Sequence, residues 1–220
     1  MRFLITAGPT REPIDPVRFL SNHSSGKMGY ALAQAALEQG HAVTLISGPV
    51  ALTAPDGVDL HRVETAQQMW EAARQVCASD AAPDIAIFAA AVADYRPKVI
   101  ESQKIKKHAD TLTLELERTP DVLGSMRVPF LFRGFLVGFA GETENLVLNA
   151  SEKLRRKGCD LVIANDVSQL GSGFDSEENE VILCLPGGQT EKVERMNKTD
   201  LARLLISRIV ALAERRTLNT

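Results

Sequence analysis

The stretch FLITAGPTREPIDPVRFLSNHSSGKMGYALAQAALEQGHAVTLIS, residues 3–47, carries the reading that decides the fold. It opens on an apolar run at 3–7 and crosses a loop rich in Gly, Pro and Ser. It then enters an amphipathic helix over 27–39 that Gly40 ends, and returns as a second apolar run at 42–47. Strand, helix and strand in that order imply a parallel pair joined by a crossover. The first amides of such a helix lack internal partners and carry partial positive charge, so the segment 18–29 is suited to a phosphate or carboxylate. Within it Ser24 or Ser25 is placed to cap the helix. Lys27 adds a full charge, Asn22 offers a donor and an acceptor, and Gly26 and Gly29 let a ligand or a strand come close. His23 is a further candidate for phosphate binding or proton transfer.

Neither common phosphate motif is present. A P-loop needs Gly where Ser21 stands, and Ser or Thr where Met28 follows Lys27. A dinucleotide fingerprint needs its glycines directly after the strand, whereas Gly8 stands alone before a long insertion. A plain Ser-capped helix is the alternative. The length of the loop argues for function, because long loops without structure of their own are uncommon otherwise.

The alternation continues beyond the first unit. A helix is predicted over 66–78 with Thr65 as its cap, and a buried strand over 85–89. Residues 111–117, TLTLELE, alternate as an antiparallel or edge strand would, and 121–127 read as a short helix after Pro120. Further strands are predicted at 136–140 and 161–164, with a helix over 146–157 ended by Gly158. Residues 171–179 form a loop, 180–185 and 190–194 a hairpin, and the last helix runs from Asn197 or Thr199 to about Arg216. The fold class is therefore α/β. A Rossmann-like three-layer arrangement is expected, with a mostly parallel sheet and antiparallel additions in the C-terminal half. With no repeat and no linker, residues 1–220 are taken as a single domain.

The bulk numbers narrow the function. A formal net charge of −3 argues against a nucleic-acid groove. Local basic clusters at Lys104, Lys106 and Lys107 and at Lys153, Arg155, Arg156 and Lys157 suit a small polyanion, or are solvated surface. Cys77, Cys159 and Cys184 are widely spaced, which argues against a disulfide framework or a zinc site. No run reaches membrane-spanning length and the first residues read as a strand, so no membrane partner and a cytoplasmic location are expected.

Ligands of open parallel sheets bind beyond the carboxyl ends of the strands, which puts the loops at 8–25, 47–57 and 90–107 on one rim. In AAAVADYRPK (89–98), the small Ala89, Ala90 and Ala91 would let a base or ribose lie flat on the backbone. Asp94 could meet a metal, a hydroxyl or a base, or make a turn. The KIKK segment (104–107) could close on a reacting phosphate. A second helix N-terminus at Thr119 and Pro120 could cradle another phosphate. Phe139 could stack on a base or belong to the core. Asn165 and Asp166 end a strand on the same rim, where Asp166 could equally be a cap or turn residue.

The motifs ITAGPTREPIDPVRFLSNHSSGKMG, AAAVADYR, KIKK, TPDVL, VGFAGET and IANDVS stand in the order found in phosphopantothenoylcysteine synthetases, also called phosphopantothenate–cysteine ligases. These form the second activity of the bacterial bifunctional coenzyme A biosynthesis flavoprotein. The resemblance extends from Phe3 to about Ala213, and the flavin-dependent half has no counterpart, so a stand-alone synthetase is expected. It implies that 4′-phosphopantothenate and cysteine are joined through an acyl nucleotide. CTP is the expected co-substrate, with Mg²⁺ on its phosphates, and a homodimer is the expected assembly. A separate phosphopantothenoylcysteine decarboxylase is a candidate partner.

By the same resemblance Lys104 is the catalytic lysine, and Asn22 binds the acyl intermediate, with Ser25, Gly26 and Lys27 beside it. The nucleotide would meet Ala89, Ala90, Ala91, Asp94, Lys104, Pro120, Asp121, Val122, Leu123 and Phe139. Lys153 and Lys157, one helical turn apart, would hold its triphosphate. Gly141 stands where many bacterial relatives have Ala. Two rivals remain: a dinucleotide-dependent oxidoreductase, and a non-catalytic nucleotide-binding partner of a flavoprotein. The first is weakened by Ser47 and Gly48, which stand where an acidic residue should end the second strand.

Overall fold

The computed structural model describes residues 1–107, 110–166 and 178–218. Six strands run parallel: β1 (Arg2–Ala7), β4 (Ala42–Ser47), β5 (Asp59–Arg62), β6 (Ile85–Phe88), β9 (Phe135–Glu142) and β10 (Leu161–Asp166). Their spatial order is β5-β4-β1-β6-β9-β10. Counted within this parallel set, that is the Rossmann order 3-2-1-4-5-6, whose ligand crevice opens where the chain reverses between the first and fourth strands. The antiparallel strands β11 (Glu178–Cys184) and β12 (Thr190–Asn197) extend the sheet beyond β10.

Helices α1 (Lys27–Glu38) and α4 (Lys198–Leu218) cover one face, and α2 (Ala66–Ala78) and α3 (Leu146–Lys157) the other. Successive strand residues supply the two cores in turn. Phe3, Ile5, Ile85, Ile87, Leu161 and Ile163 face α1 and α4, whereas Leu4, Ala86, Phe88 and Val162 face α2 and α3. That two-residue period, with both faces covered, is why these strands read as unbroken apolar runs. The three-layer expectation is met.

Several local expectations are corrected. Neither Ser24 nor Ser25 caps α1. The cap is Gly26, at φ 78° with no side-chain cap bond, and the Ser24 hydroxyl instead accepts the Gly26 amide at 3.3 Å. The left-handed turn aligns the loop with the helix, a conformation glycine alone adopts cheaply. Residues 121–127 form consecutive turns and no helix. Asp121 Oδ1 accepts the Gly124 amide at 2.9 Å, and so short a segment does not repay helix nucleation. Of 111–117 only the end is strand: β8 (Leu116–Arg118) pairs antiparallel with β7 (Tyr95–Pro97).

Three features were not foreseen: β7, the edge strand β5, and the hairpin of β2 (Arg11–Pro13) with β3 (Phe19–Ser21). The predicted loop 171–179 lies outside the described residues except for 178–179, which open β11. The Thr65 cap of α2 is present as a full capping box with Gln68, and Asn197 Oδ1 accepts the Asp200 amide at the start of α4.

Candidate active site

The carboxyl ends of β1 and β6 are laced together by the loops that leave them. The amides of Ala89 and Ala91 donate to the carbonyls of Thr6 and Gly8, and that of Ala90 to the Thr6 hydroxyl. Thr10 returns an amide to the Ala91 carbonyl, and its hydroxyl accepts the Ala93 amide at 3.0 Å. Asn22 completes the lacing, its side-chain amide donating to the Ala91 carbonyl at 3.0 Å. The two motifs SNHSSGKMG and AAAVADYR thus meet at the topological switch point.

The three alanines do not share one role. Ala89 packs toward the α1–α4 core, and Ala90 faces the other side, as strand alternation requires. On that other side lies a cavity of about 660 Å³. Its walls bring together Ala90, Asp94, Pro120, Asp121, Val122 and Leu123 with Phe139, Lys153 and Lys157. Thr119 fixes the 118–123 wall, its hydroxyl donating to the Ala93 carbonyl and its amide to that of Asp94. Phe139 is half-buried and packs on the α1–α4 core cluster while bordering the cavity.

Helix α3 presents its charges here. Lys153 and Lys157 project from one face one turn apart, as expected, with Arg156 also on the wall. The Lys153 ammonium donates to the Phe139 carbonyl at 2.6 Å, and burial pushes its pKa down. A half-buried ammonium whose acceptor is a neutral carbonyl is poised to gain from an incoming anion. Lys157 is paired with the Asp121 carboxylate. Burial pushes Asp121 up, but Lys157 and the Gly124 amide outweigh it and hold its carboxyl below the ordinary range. An anion that takes Lys157 must therefore compete with Asp121.

Other candidates fall outside the cavity. Ala89, Ala91 and Lys104 do not border it, nor do Asn22, Ser25, Gly26 and Lys27. Those last four sit at the α1 end of the lacing. Gly29 serves a strand and no ligand, since a side chain there would come within 2.5 Å of the Ala7 Cβ. Lys104 is exposed on a segment held against the β2–β3 hairpin, where Asp15 and Arg18 bind the backbone of Ile105. Sequence reasoning assigned no role to Asp15 or Arg18. The PIDPVR turn was the one available signal, since an Asp two residues before an amide favours a side-chain-capped turn.

A wider hollow, about 960 Å³ and more open, lies by β4, β5 and α2. It mixes Arg11 and Arg62 with Glu64 and Glu71, takes in the start of the 47–57 loop, and gathers none of the residues assigned above to nucleotide or intermediate. The smaller cavity at the strand ends is the better candidate, because its charge has one prevailing sign and its walls are strand termini. Ser47 is buried, bonded to the Tyr30 hydroxyl and the Gly48 carbonyl, so the end of β4 presents no acid to a ribose. Among the described residues no group of three or more His, Cys, Asp or Glu is gathered as a metal cage, and no helix is long and apolar enough to cross a membrane.

Comparison with known proteins shows the family and the fold. Residues 1–212 match the family model "DNA/pantothenate metabolism flavoprotein C-terminal domain". A coenzyme A biosynthesis bifunctional protein CoaBC of Vibrio vulnificus is 50% identical over 188 residues, which cover 84% of this chain and 46% of the relative. The Escherichia coli K12 protein of the same name is 46% identical over 214 residues, 96% of this chain and 52% of the relative. The chain thus spans about half the length of these relatives. A crystal structure of a CoaBC C-terminal domain superposes with a TM-score of 0.80 at 40% identity, covering 97% of this chain and 95% of that one. A Cab2 H337A mutant in complex with phosphopantothenate-cysteine shares the fold, with a TM-score of 0.78 at 18% identity over 99% of this chain and 88% of that one. The chain belongs to the DNA/pantothenate metabolism flavoprotein C-terminal domain family.

Proposed function

We propose that the chain is a CTP-dependent phosphopantothenate–cysteine ligase of coenzyme A biosynthesis, acting as one domain over residues 1–220. The observation that carries this reading is the cavity where Lys153 and Lys157 face Asp94 and the 120–123 wall. It fits a nucleoside triphosphate in size and sign. The nucleotide lies along Ala90, Asp94 and residues Pro120 to Leu123, with Phe139 behind it. Lys153 and Lys157 take the phosphates, Lys157 exchanging its Asp121 partner for them.

The reaction has two steps. The carboxylate of 4′-phosphopantothenate attacks the α-phosphorus, and pyrophosphate leaves. The cysteine amine then attacks the acyl carbon of the acyl cytidylate, and CMP leaves as the amide forms and the amine loses its proton. Negative charge concentrates at the α-phosphate in the first step, and Lys104 is the side chain assigned to neutralise it. Asn22, anchored at Ala91, holds the acyl intermediate, with Ser25, Gly26 and Lys27 providing the helix N-terminus beside it.

Mg²⁺ would screen the triphosphate. That ion keeps most of its waters and takes one or two carboxylates with substrate phosphates. Asp94, exposed on the cavity rim, fits such a role.

A homodimer is proposed on a surface that the sequence does not reveal. Val17, Phe19, Tyr95, Val99, Ile100 and Leu116 are each 43–66% exposed and cluster on the two small sheets and the segment between them. Grouped apolar exposure of this kind favours a second copy. A phosphopantothenoylcysteine decarboxylase is the proposed protein partner, since the relatives are named bifunctional, and the cytoplasm is the proposed location. The test is pyrophosphate release from purified protein with 4′-phosphopantothenate and either CTP or ATP, with and without cysteine. Release with CTP, with CMP and a cysteine adduct formed only when cysteine is added, supports the reading. Silence with both nucleotides overturns it.

A further inference from the structure

The turn of the β2–β3 hairpin buries a carboxylate that the proposed chemistry does not use. The Asp15 side chain is 0% exposed although it sits at a hairpin tip. Its Oδ1 accepts the amides of Val17 at 2.8 Å and Arg18 at 2.9 Å, which is all that capping the turn requires. Its Oδ2 does something else. It takes the Arg18 guanidinium at 3.0 and 2.5 Å, and the amide of Ile105 at 3.1 Å. Arg18 Nη2 then donates to the Ile105 carbonyl at 2.9 Å. Both backbone groups of Ile105 are thus held by one ion pair from a segment far away in sequence. A second stitch lies close by, where the Glu101 amide donates to the Ile14 carbonyl at 3.0 Å. Lys104 lies between the two stitches, next to the tighter one.

We propose that Asp15 is a positioning residue: with Arg18 it clips Ile105, and so fixes where the Lys104 ammonium is presented. The inference rests on the role assigned to Lys104 above. The hairpin that carries the clip ends at Ser21, whose hydroxyl donates to the Thr10 carbonyl at 2.8 Å, one residue before Asn22. One rigid arm therefore sets both the intermediate-binding end and the lysine segment. The Arg18 guanidinium holds the Asp15 carboxyl far below the usual carboxylate range, which favours the charged form that the clip uses.

Asp15→Asn tests it. The variant keeps an acceptor for the Val17 and Arg18 amides, but turns a donor toward Ile105 and the guanidinium. Freed from the clip, the segment should be cut by trypsin after Lys104, Lys106 and Lys107 about tenfold faster, with the melting temperature little changed. The kcat for pyrophosphate release should fall about 10- to 100-fold while the Kd for CTP stays within about twofold, because the nucleotide cavity is untouched. Ile105→Pro is the second variant. It removes the Ile105 amide, leaves the Asp15–Arg18 pair intact, and should reproduce both effects, with cleavage read after Lys106 and Lys107 because trypsin does not cut before proline. An unchanged tryptic rate in the two variants overturns the clip. Pyrophosphate release that is unchanged or faster overturns the positioning role. If Lys104→Gln is fully active, the catalytic reading has failed, and the tryptic result still judges the clip.

Discussion

The strand-end cavity, proposed to take the nucleotide, and the hairpin arm are built on opposite plans. The cavity is made of strand ends and one face of α3, and its cations are set in place by a carbonyl and by Asp121. The arm has almost no core. It is held by Asp15, Arg18 and a few backbone bonds, and it exposes Val17 and Phe19. A preformed cavity suits binding of a triphosphate, whereas a clipped arm suits a group that must be held at one place beside the reacting phosphorus. The difference implies that substitutions in the arm should move turnover, and substitutions in the cavity should move affinity.

The sharpest test is Lys104→Gln. The rate of pyrophosphate release should fall about 10²- to 10³-fold while CTP binding by calorimetry changes little. Near-normal release would erase the contrast between the two regions. Next is Lys153→Met, which removes the half-buried ammonium. CTP should bind about 10- to 100-fold more weakly, the loss of one charge-assisted contact, and kcat at saturating nucleotide should be largely kept. A fall in kcat alone would make the cavity catalytic as well.

The double variant Val17→Glu with Phe19→Glu should weaken self-association at least about tenfold by sedimentation, since it sets like charges against each other across the proposed interface. Nucleotide affinity should hold. Unchanged association would move the interface elsewhere. The smallest effect is expected from Asp121→Asn, which releases Lys157. CTP should bind about two- to fivefold more tightly, in keeping with a half-exposed ion pair. The sign can be checked by pH as well. Asp121 is held below its ordinary value, so the pair persists above the unfolded pKa and is lost as pH falls through the folded one. The gain from Asp121→Asn should therefore shrink in acid. Weaker binding by the variant would place the Asp121 carboxylate on the nucleotide instead.

Legibility followed burial. β1, β6 and β10 were readable because each alternates between two cores and so admits little but Ile, Leu, Val, Phe and Ala. α2 was readable because Thr65 and Gln68 form a capping box. β5, DLHR, was not, because a short edge strand with polar faces shows no apolar period. The helix expected over 121–127 failed because the Asp121 carboxylate closes a local turn on the Gly124 amide and pairs with Lys157, a partner that only folding brings near. In TLTLELE the alternation is real, yet Leu112 and Leu116 have no core of this chain to face.

By itself the sequence determined the layered α/β fold, the family and several of the residues that line the strand-end cavity, because hydrophobic period, capping and short motifs act over a few residues and survive without knowledge of neighbours. The tertiary structure alone decided how those residues are shared out. It paired Lys157 with Asp121, tied Asn22 to Ala91, and clipped the Lys104 segment to Asp15 and Arg18. Each of those contacts joins groups distant along the chain. Their partners are chosen by the crossing of strands and loops, and no local pattern encodes that choice.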